Sequence, residues 1–248
     1  MSFKDHFSGH AQAYADARPS YPDELFEFLN SQCEQHDLVW DCATGNGQAA
    51  VSLAKIFKRV IATDGSAEQV EQAQQAENIE YRQMTAEQPL LEKNSCDLIT
   101  VAQALHWFDT EKFFDNAKTC LKPGGVLAAW CYAVHQINEP VDAVVEKLYE
   151  NVLGDYWPPE RRLVENHYRD INFPFTTCLE QNFIMTREWS LEQICDYFTS
   201  WSALQRYRKQ NGNDPLELIM EDLRHAWGMN PEKTQVVTWP LTVKLVRM

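Results

Sequence analysis

The sequence predicts an α/β protein with a doubly wound parallel sheet, and three observations carry that expectation. Residues 38–132 alternate short apolar runs with helix-periodic stretches, as βαβ units do. The runs are followed at their carboxyl ends by polar or small residues at turns, in order Asp41, Asp64, Ala86 and Gln103. The separations of 23, 22 and 17 residues each suit one strand, one helix and their turns.

Leu38-Val39-Trp40 is the first strand; it ends at Asp41 and runs into the turn Cys42-Ala43-Thr44-Gly45-Asn46-Gly47. From Gln48 to Phe57, the residues Ala49, Ala50, Leu53, Ala54 and Phe57 recur at helical spacing. Val60-Ile61-Ala62-Thr63 is a second strand closed by Asp64-Gly65, and Ser66 with Gln69 forms a capping-box pattern for a helix through Gln75. Ile79 to Met84 alternates apolar and polar residues, which places a third strand near the sheet edge. Asp97 to Ala102 is a buried fourth strand. A helix follows from Thr110 to Leu121, with Phe113, Phe114, Ala117 and Leu121 on one face. Lys122-Pro123-Gly124-Gly125 is a turn with Pro and Gly where a type II geometry wants them, and Val126 to Ala133 is the fifth strand.

Beyond it, Val141, Val144, Val145, Leu148 and Val152 mark an amphipathic helix. Residues 155–175, rich in aromatics, Arg and Pro, suggest an irregular cap. A strand over Phe183 to Trp189, helices over Leu191 to Tyr207 and Leu216 to Trp227, and a last strand over Leu241 to Val246 complete the pattern. The expected organisation is a single domain over 1–248, with a core at 36–133, an N-terminal lid at 1–30 and a cap at about 138–178.

Bulk properties narrow the partners. A net charge of −14 repels nucleic-acid phosphates and anionic lipid, and no basic run exceeds Arg161-Arg162 in length, so neither partner is expected. Lys4, Asp5 and His6 interrupt any signal-peptide core, and the apolar stretch Val126 to Val134 is too short to span a bilayer. Seven cysteines without a C-x-x-C pair read as reduced thiols, and a cytoplasmic location is the expectation. His6 and His10 stand four apart without a third ligand in view, so no metal site is expected.

The chemistry should sit where the strand tips meet, outside the carboxyl ends of a parallel sheet. Gly45 and Gly47 let the backbone approach a ligand closely, and Asp64 is placed to accept both hydroxyls of a ribose. That pattern alone also fits a dinucleotide fingerprint. Two features favour a sulfonium ligand over a pyrophosphate. Asp41 stands directly before the loop, helpful to a cation through water or backbone positioning and unhelpful to an anion. No Tyr has a Lys four residues on, as the dehydrogenase pair of that fold class requires.

These residues resemble the class I S-adenosylmethionine (SAM)-dependent methyltransferases. The family's acid-x-Gly-x-Gly-x-Gly motif is Asp41-Cys42-Ala43-Thr44-Gly45-Asn46-Gly47, with Ala43 in place of the first glycine. Thr85-Ala86-Glu87-Gln88-Pro89-Leu90 is similar to the adenine-contacting segment, with Thr85 where Asp is common. Gln103-Ala104-Leu105-His106-Trp107-Phe108 is similar to the motif after strand four, and Leu121 to Gly125 to the turn before strand five. The resemblance implies a Rossmann-like, seven-stranded sheet whose last strand is antiparallel. It implies SAM as cofactor, held by Asp41, Ala43, Gly45, Asp64, Gly65, Ser66, Thr85, Ala86 and Gln103.

The run Phe7-x-x-x-Ala11-x-x-Tyr14-x-x-x-Arg18-Pro19-Ser20-Tyr21-Pro22 resembles a subgroup of small-molecule enzymes that includes trans-aconitate methyltransferase-like proteins. It implies Tyr14 and Arg18 near the methionine carboxylate of the cofactor. For the acceptor the candidates are Tyr21, Trp107, Tyr156 and Trp157, with His106 as a catalytic base. Arg161, Arg162 and Arg169 among the cap aromatics suit a planar anion. The expected activity is methyl transfer to a small molecule by in-line displacement, with a carboxylate oxygen among the candidate acceptor atoms. A protein methyltransferase and a non-catalytic SAM-binding protein are the alternatives.

Overall fold

The computed structural model describes residues 18–88, 91–175, 177–230 and 232–248. Helix α1 (Asp23–Gln32) precedes β1 (Leu38–Cys42), α2 (Gln48–Leu53), β2 (Arg59–Asp64), α3 (Ala67–Glu71), β3 (Ile79–Gln83) and β4 (Cys96–Ala102). Then come α4 (Thr110–Cys120), β5 (Leu121–Tyr132), α5 (Glu139–Glu146), α6 (Arg161–Glu165), β6 (Cys178–Trp189), α7 (Leu191–Thr199), α8 (Ser202–Asn211), α9 (Met220–Trp227) and β7 (Gln235–Arg247).

The seven strands form one sheet in the order β3-β2-β1-β4-β5-β7-β6. β7 runs antiparallel to both of its neighbours, and the other paired strands run parallel. The expected seven-stranded sheet with an antiparallel last strand is therefore present. Strand order reverses between β1 and β4, which opens a crevice above their carboxyl ends.

Helices cover both faces, and β5 shows why its apolar run is continuous. Val126, Ala128, Trp130 and Tyr132 join a cluster with Leu25, Leu29 and Leu53, whereas Leu127, Ala129 and Cys131 join one with Phe113, Phe114 and Ala117. Successive side chains point to opposite faces, so a strand buried on both sides has no polar positions to spare. The edge strand β3 is only half-buried, as its alternating pattern predicts.

Several boundaries differ from expectation, each for a physical reason. β6 starts at Cys178, not Phe183, because its first residues lie on an exposed sheet edge and carry no apolar signal. β7 starts at Gln235 although Pro240 lies within it. Pro240 pairs with Ile184 of β6, while the β5 ladder begins only at Leu241, so no bond to β5 needs the missing N–H. The helix expected over Leu191 to Tyr207 breaks at Ser200-Trp201, where Trp201 adopts an extended conformation. The stretch from Leu216 to Trp227 is a 3₁₀ turn, Pro215–Leu218, followed by α9. The helix after Gly47 stops at Leu53, and the one after Ser66 at Glu71.

The lid and the cap are also redrawn. Residues 23–30 belong to α1, whose Leu25 and Leu29 are fully buried in the sheet-facing core. Within 138–178, Val141, Val145 and Leu148 lie in that same cluster, while Val164 and Tyr168 pack into the other. Of the described cap residues, Trp157, Pro158, Glu160 and Arg161 border the crevice.

Candidate functional site

The first turn builds the floor of the crevice. Ala43, Gly45 and Gly47 all adopt positive φ, +55°, +57° and +81°. The conformation is easy for glycine and costs Ala43 about 1 kcal/mol. Thr44 N–H donates to the Thr63 carbonyl at 2.9 Å, which ties the turn to β2. Asp64, at the tip of β2, accepts from Gly45 N–H and Ser66 N–H, both at 2.9 Å. Each carboxylate oxygen accepts more than one hydrogen bond, so this holds Asp64 in place and still lets it receive a diol.

These residues border a cleft of about 710 Å3. Three of the four expected strand tips, Asp64, Ala86 and Gln103, line it together with Gly45 of the first turn, and so do Arg18, Tyr21, Ala43, Gly65, Ser66, Thr85 and Trp107. Its charge is distinctive. Asp64, Glu87, Asp109 and Glu160 line it against two cations, Arg18 and Lys112, and Lys112 is paired with Asp109 at 2.8 Å. An acidic wall repels a pyrophosphate and attracts a sulfonium and an ammonium. The residues present fit SAM: Asp64 for the ribose, the 43–46 backbone beside it, and Met84 to Ala86 for the base.

A second chamber adjoins the cleft. Arg18, Gln103, Trp107 and Tyr132 border both spaces, and His106, Trp157, Arg161, Tyr197 and Trp201 line the chamber alone. Its volume is about 50 Å3, and no Asp or Glu stands among the described lining residues. Gln103 holds the junction. It sits at φ +54°, its side-chain amide donates to the Tyr132 carbonyl at 3.0 Å, and it accepts from Tyr132 N–H at 2.8 Å. Gln103 thus lines the cleft while its side chain pins the end of β5.

Three further expectations are corrected. Asp41 has no surface in the cleft: it is fully buried, with Thr44 Oγ1 donating at 2.5 Å and Thr100 Oγ1 at 2.6 Å. Burial pushes its carboxyl up to about 6, against the pull of those two hydroxyls. Its link to the turn runs through Thr44. His106 does reach the chamber, but burial and then the nearby Arg161 charge push its imidazole down to about 3. Its Nδ1 lies 3.2 Å from the Tyr168 hydroxyl. An imidazole held neutral so firmly is a weak proton acceptor, so it suits orientation better than base catalysis. Tyr156 faces away: it borders neither space, its hydroxyl accepts from Asn211 at 2.8 Å, and its ring packs on Tyr207. Tyr14 lies outside the described residues. Tyr21, expected at the acceptor, lines the cofactor cleft, with its ring edge-on to Trp130.

Sequence reasoning missed Tyr132, Tyr197 and Trp201. Tyr132 ends β5, and treating that fifth tip like the first four would have found it. Tyr197 and Trp201 were hidden in the apparent helix, with nothing local to show that it breaks there. Of the three cap arginines, only Arg161 enters the chamber; Arg162 is exposed, and Arg169 lies 3.6 Å from Glu180.

A parallel sheet in this order, with a glycine turn after its first strand and an acid at the tip of its second, defines a Rossmann-like protein that binds a nucleoside cofactor. Comparison with known proteins makes the class specific. A methyltransferase-domain profile matches residues 40–129. A protein of Dictyostelium discoideum assigned as a methyltransferase is 38% identical over 229 residues, covering 91% of this chain and 87% of its own. A solved structure from Anaeromyxobacter dehalogenans, assigned as a type II methyltransferase, is 38% identical with a TM-score of 0.86, covering 93% of this chain and 97% of that one. A Saccharomyces cerevisiae protein assigned as SAM-dependent is 23% identical over 82% of each chain. The chain belongs to the class I SAM-dependent methyltransferases.

Proposed function

We propose that this enzyme methylates a small molecule held in the arginine-lined chamber, and that a carboxylate oxygen receives the methyl group. The observation that carries this reading is the junction: among the described residues, Arg18, Gln103, Trp107 and Tyr132 border both the acidic cleft and the chamber. When bound, SAM supplies a methyl group on a sulfonium, and its transfer leaves a neutral thioether. Asp64 and the 43–46 turn would fix the adenosyl end. Trp107 and Tyr132 would exclude water and align the acceptor for in-line attack, where orientation supplies most of the acceleration.

An acceptor already ionised at neutral pH needs no base. The acceptor oxygen forms its bond to the methyl carbon as the carbon–sulfur bond breaks, and no proton moves. That matches a chamber whose only imidazole, among the described lining residues, is held neutral. The negative net charge disfavours nucleic acid and anionic membrane as acceptors. No described helix is long and apolar enough to cross a membrane. With the cysteine pattern, this supports a cytoplasmic location.

The test is methyl incorporation from labelled SAM into panels of organic acids, phenols, amines and a Lys/Arg peptide. The expected result is label in one or more acids, released by mild alkali as an ester would be. Label confined to the peptide, or transfer to none of the panel, contradicts the proposal.

A further inference from the structure

The walls of the chamber carry an unusual charge balance for this chain. The protein has a net charge of −14, yet this space is lined by two arginines and by no described acid. Arg18 is engaged at the junction, donating to the Tyr132 hydroxyl at 2.9 Å and to the Ser200 carbonyl at 3.4 Å. Arg161 is held differently. Its Nε donates to the Tyr149 hydroxyl at 2.8 Å, and its guanidinium plane lies over the Trp157 and Tyr149 rings, 5.1 and 5.6 Å from their centroids. Glu165 is 3.8 Å from that same Nε, so its carboxylate meets the back edge of the fork.

The described hydrogen bond of Arg161 is made at Nε, and its side chain lines the space it shares with His106. The influence of its charge on that imidazole agrees with their proximity. A guanidinium fixed by stacking at the wall of the chamber is suited to pair with a carboxylate oxygen through a charge-assisted hydrogen bond. The remaining walls are flat aromatic faces: Trp107, Trp157, Tyr197 and Trp201.

We infer that Arg161 is the specificity-determining residue of this enzyme, selecting planar acceptors that carry a carboxylate or an equivalent anion. The inference rests on the proposal that the chamber holds the acceptor. Arg161 binds one carboxylate oxygen and leaves the other to face the junction, so one group is both recognised and methylated. At about 50 Å3 the chamber must widen to admit such an acceptor.

Calorimetry of the full chain, saturated with S-adenosylhomocysteine, tests this. Matched probes are used, benzoate with benzamide and indole-3-acetate with its amide, on wild type, Arg161→Gln and Arg161→Lys. In wild type at least one acid is expected to bind about tenfold or more tightly than its amide, as a charge-assisted pair gives. Arg161→Gln should erase that preference while leaving S-adenosylhomocysteine affinity unchanged, and Arg161→Lys should restore part of it. Equal binding of acid and amide, failure of any acid to bind, or a preference that survives Arg161→Gln overturns the inference. Failure to bind S-adenosylhomocysteine at all, by contrast, strikes at the methyltransferase reading beneath it.

Discussion

The cleft and the chamber share a wall and differ in almost everything else. The cleft is wide, acidic and built mainly from backbone turns at strand tips; the chamber is narrow, cationic and walled by rings from distant segments. The contrast shows how one junction can bring a cationic donor and an anionic acceptor together. Each space disfavours the other's ligand by charge, and among the described residues Arg18, Gln103, Trp107 and Tyr132 border both.

Substitutions can break the contrast one side at a time. The largest expected effect is in the cleft. Asp64→Ala should weaken S-adenosylhomocysteine binding about a hundredfold, about 3 kcal/mol, through lost charge-assisted hydrogen bonds. Calorimetry reads it directly, and affinity within threefold of wild type would remove Asp64 from the ribose site.

Behind the cleft, Asp41→Asn separates charge from shape. Its folded carboxyl, at about 6, lies above its unfolded value of 3.8, so the native state holds the proton more tightly. Stability from this group is gained as pH falls through 6 and lost as pH rises. At pH 8 the buried charge costs up to about 3 kcal/mol, so Asp41→Asn should raise the urea midpoint there. His106 and His135 oppose this on acidification. Both fold with imidazoles depressed to about 3, and among the described residues neither ring nitrogen of His135 has a hydrogen-bond partner within a cage of Tyr197, Phe198, Trp201 and Trp239. Stability they contribute is complete above the unfolded value of 6.5 and falls below it. Wild type should thus weaken from pH 7 to pH 5, and Asp41→Asn should weaken more steeply because it lacks the compensating carboxyl. A variant midpoint below wild type at pH 8 would refute this description of Asp41.

In the chamber the effect is smallest. His106→Gln keeps a polar, neutral side chain and should lower kcat less than tenfold, and the wild-type kcat profile should show no limb near pH 6.5. A loss of a hundredfold or more, with such a limb, would restore it as a base.

The same division explains what the sequence revealed. Gly45, Asp64, Ala86 and Gln103 were expected to converge and do so, because each is fixed by a local event, the end of an apolar strand. The burial of Asp41 was not visible, since Thr100, 59 residues away on the neighbouring strand, completes it. The role of Gln103 in clamping Tyr132 depended likewise on β4 lying beside β5. The chamber was least legible. Trp157 and Arg161 were suspected from composition, but Tyr156 one residue earlier was suspected on the same ground and points elsewhere. Composition does not say which way a side chain in irregular backbone faces. Edge strand β6 escaped in part for the opposite reason: an exposed strand needs no apolar pattern.

The most direct test of the account is competitive calorimetry on the wild-type chain with S-adenosylhomocysteine, SAM and NAD. The acidic cleft predicts micromolar binding of the first two, with the cationic SAM at least equal to its neutral product, and no measurable heat with NAD. Micromolar binding of NAD with none of SAM would contradict it.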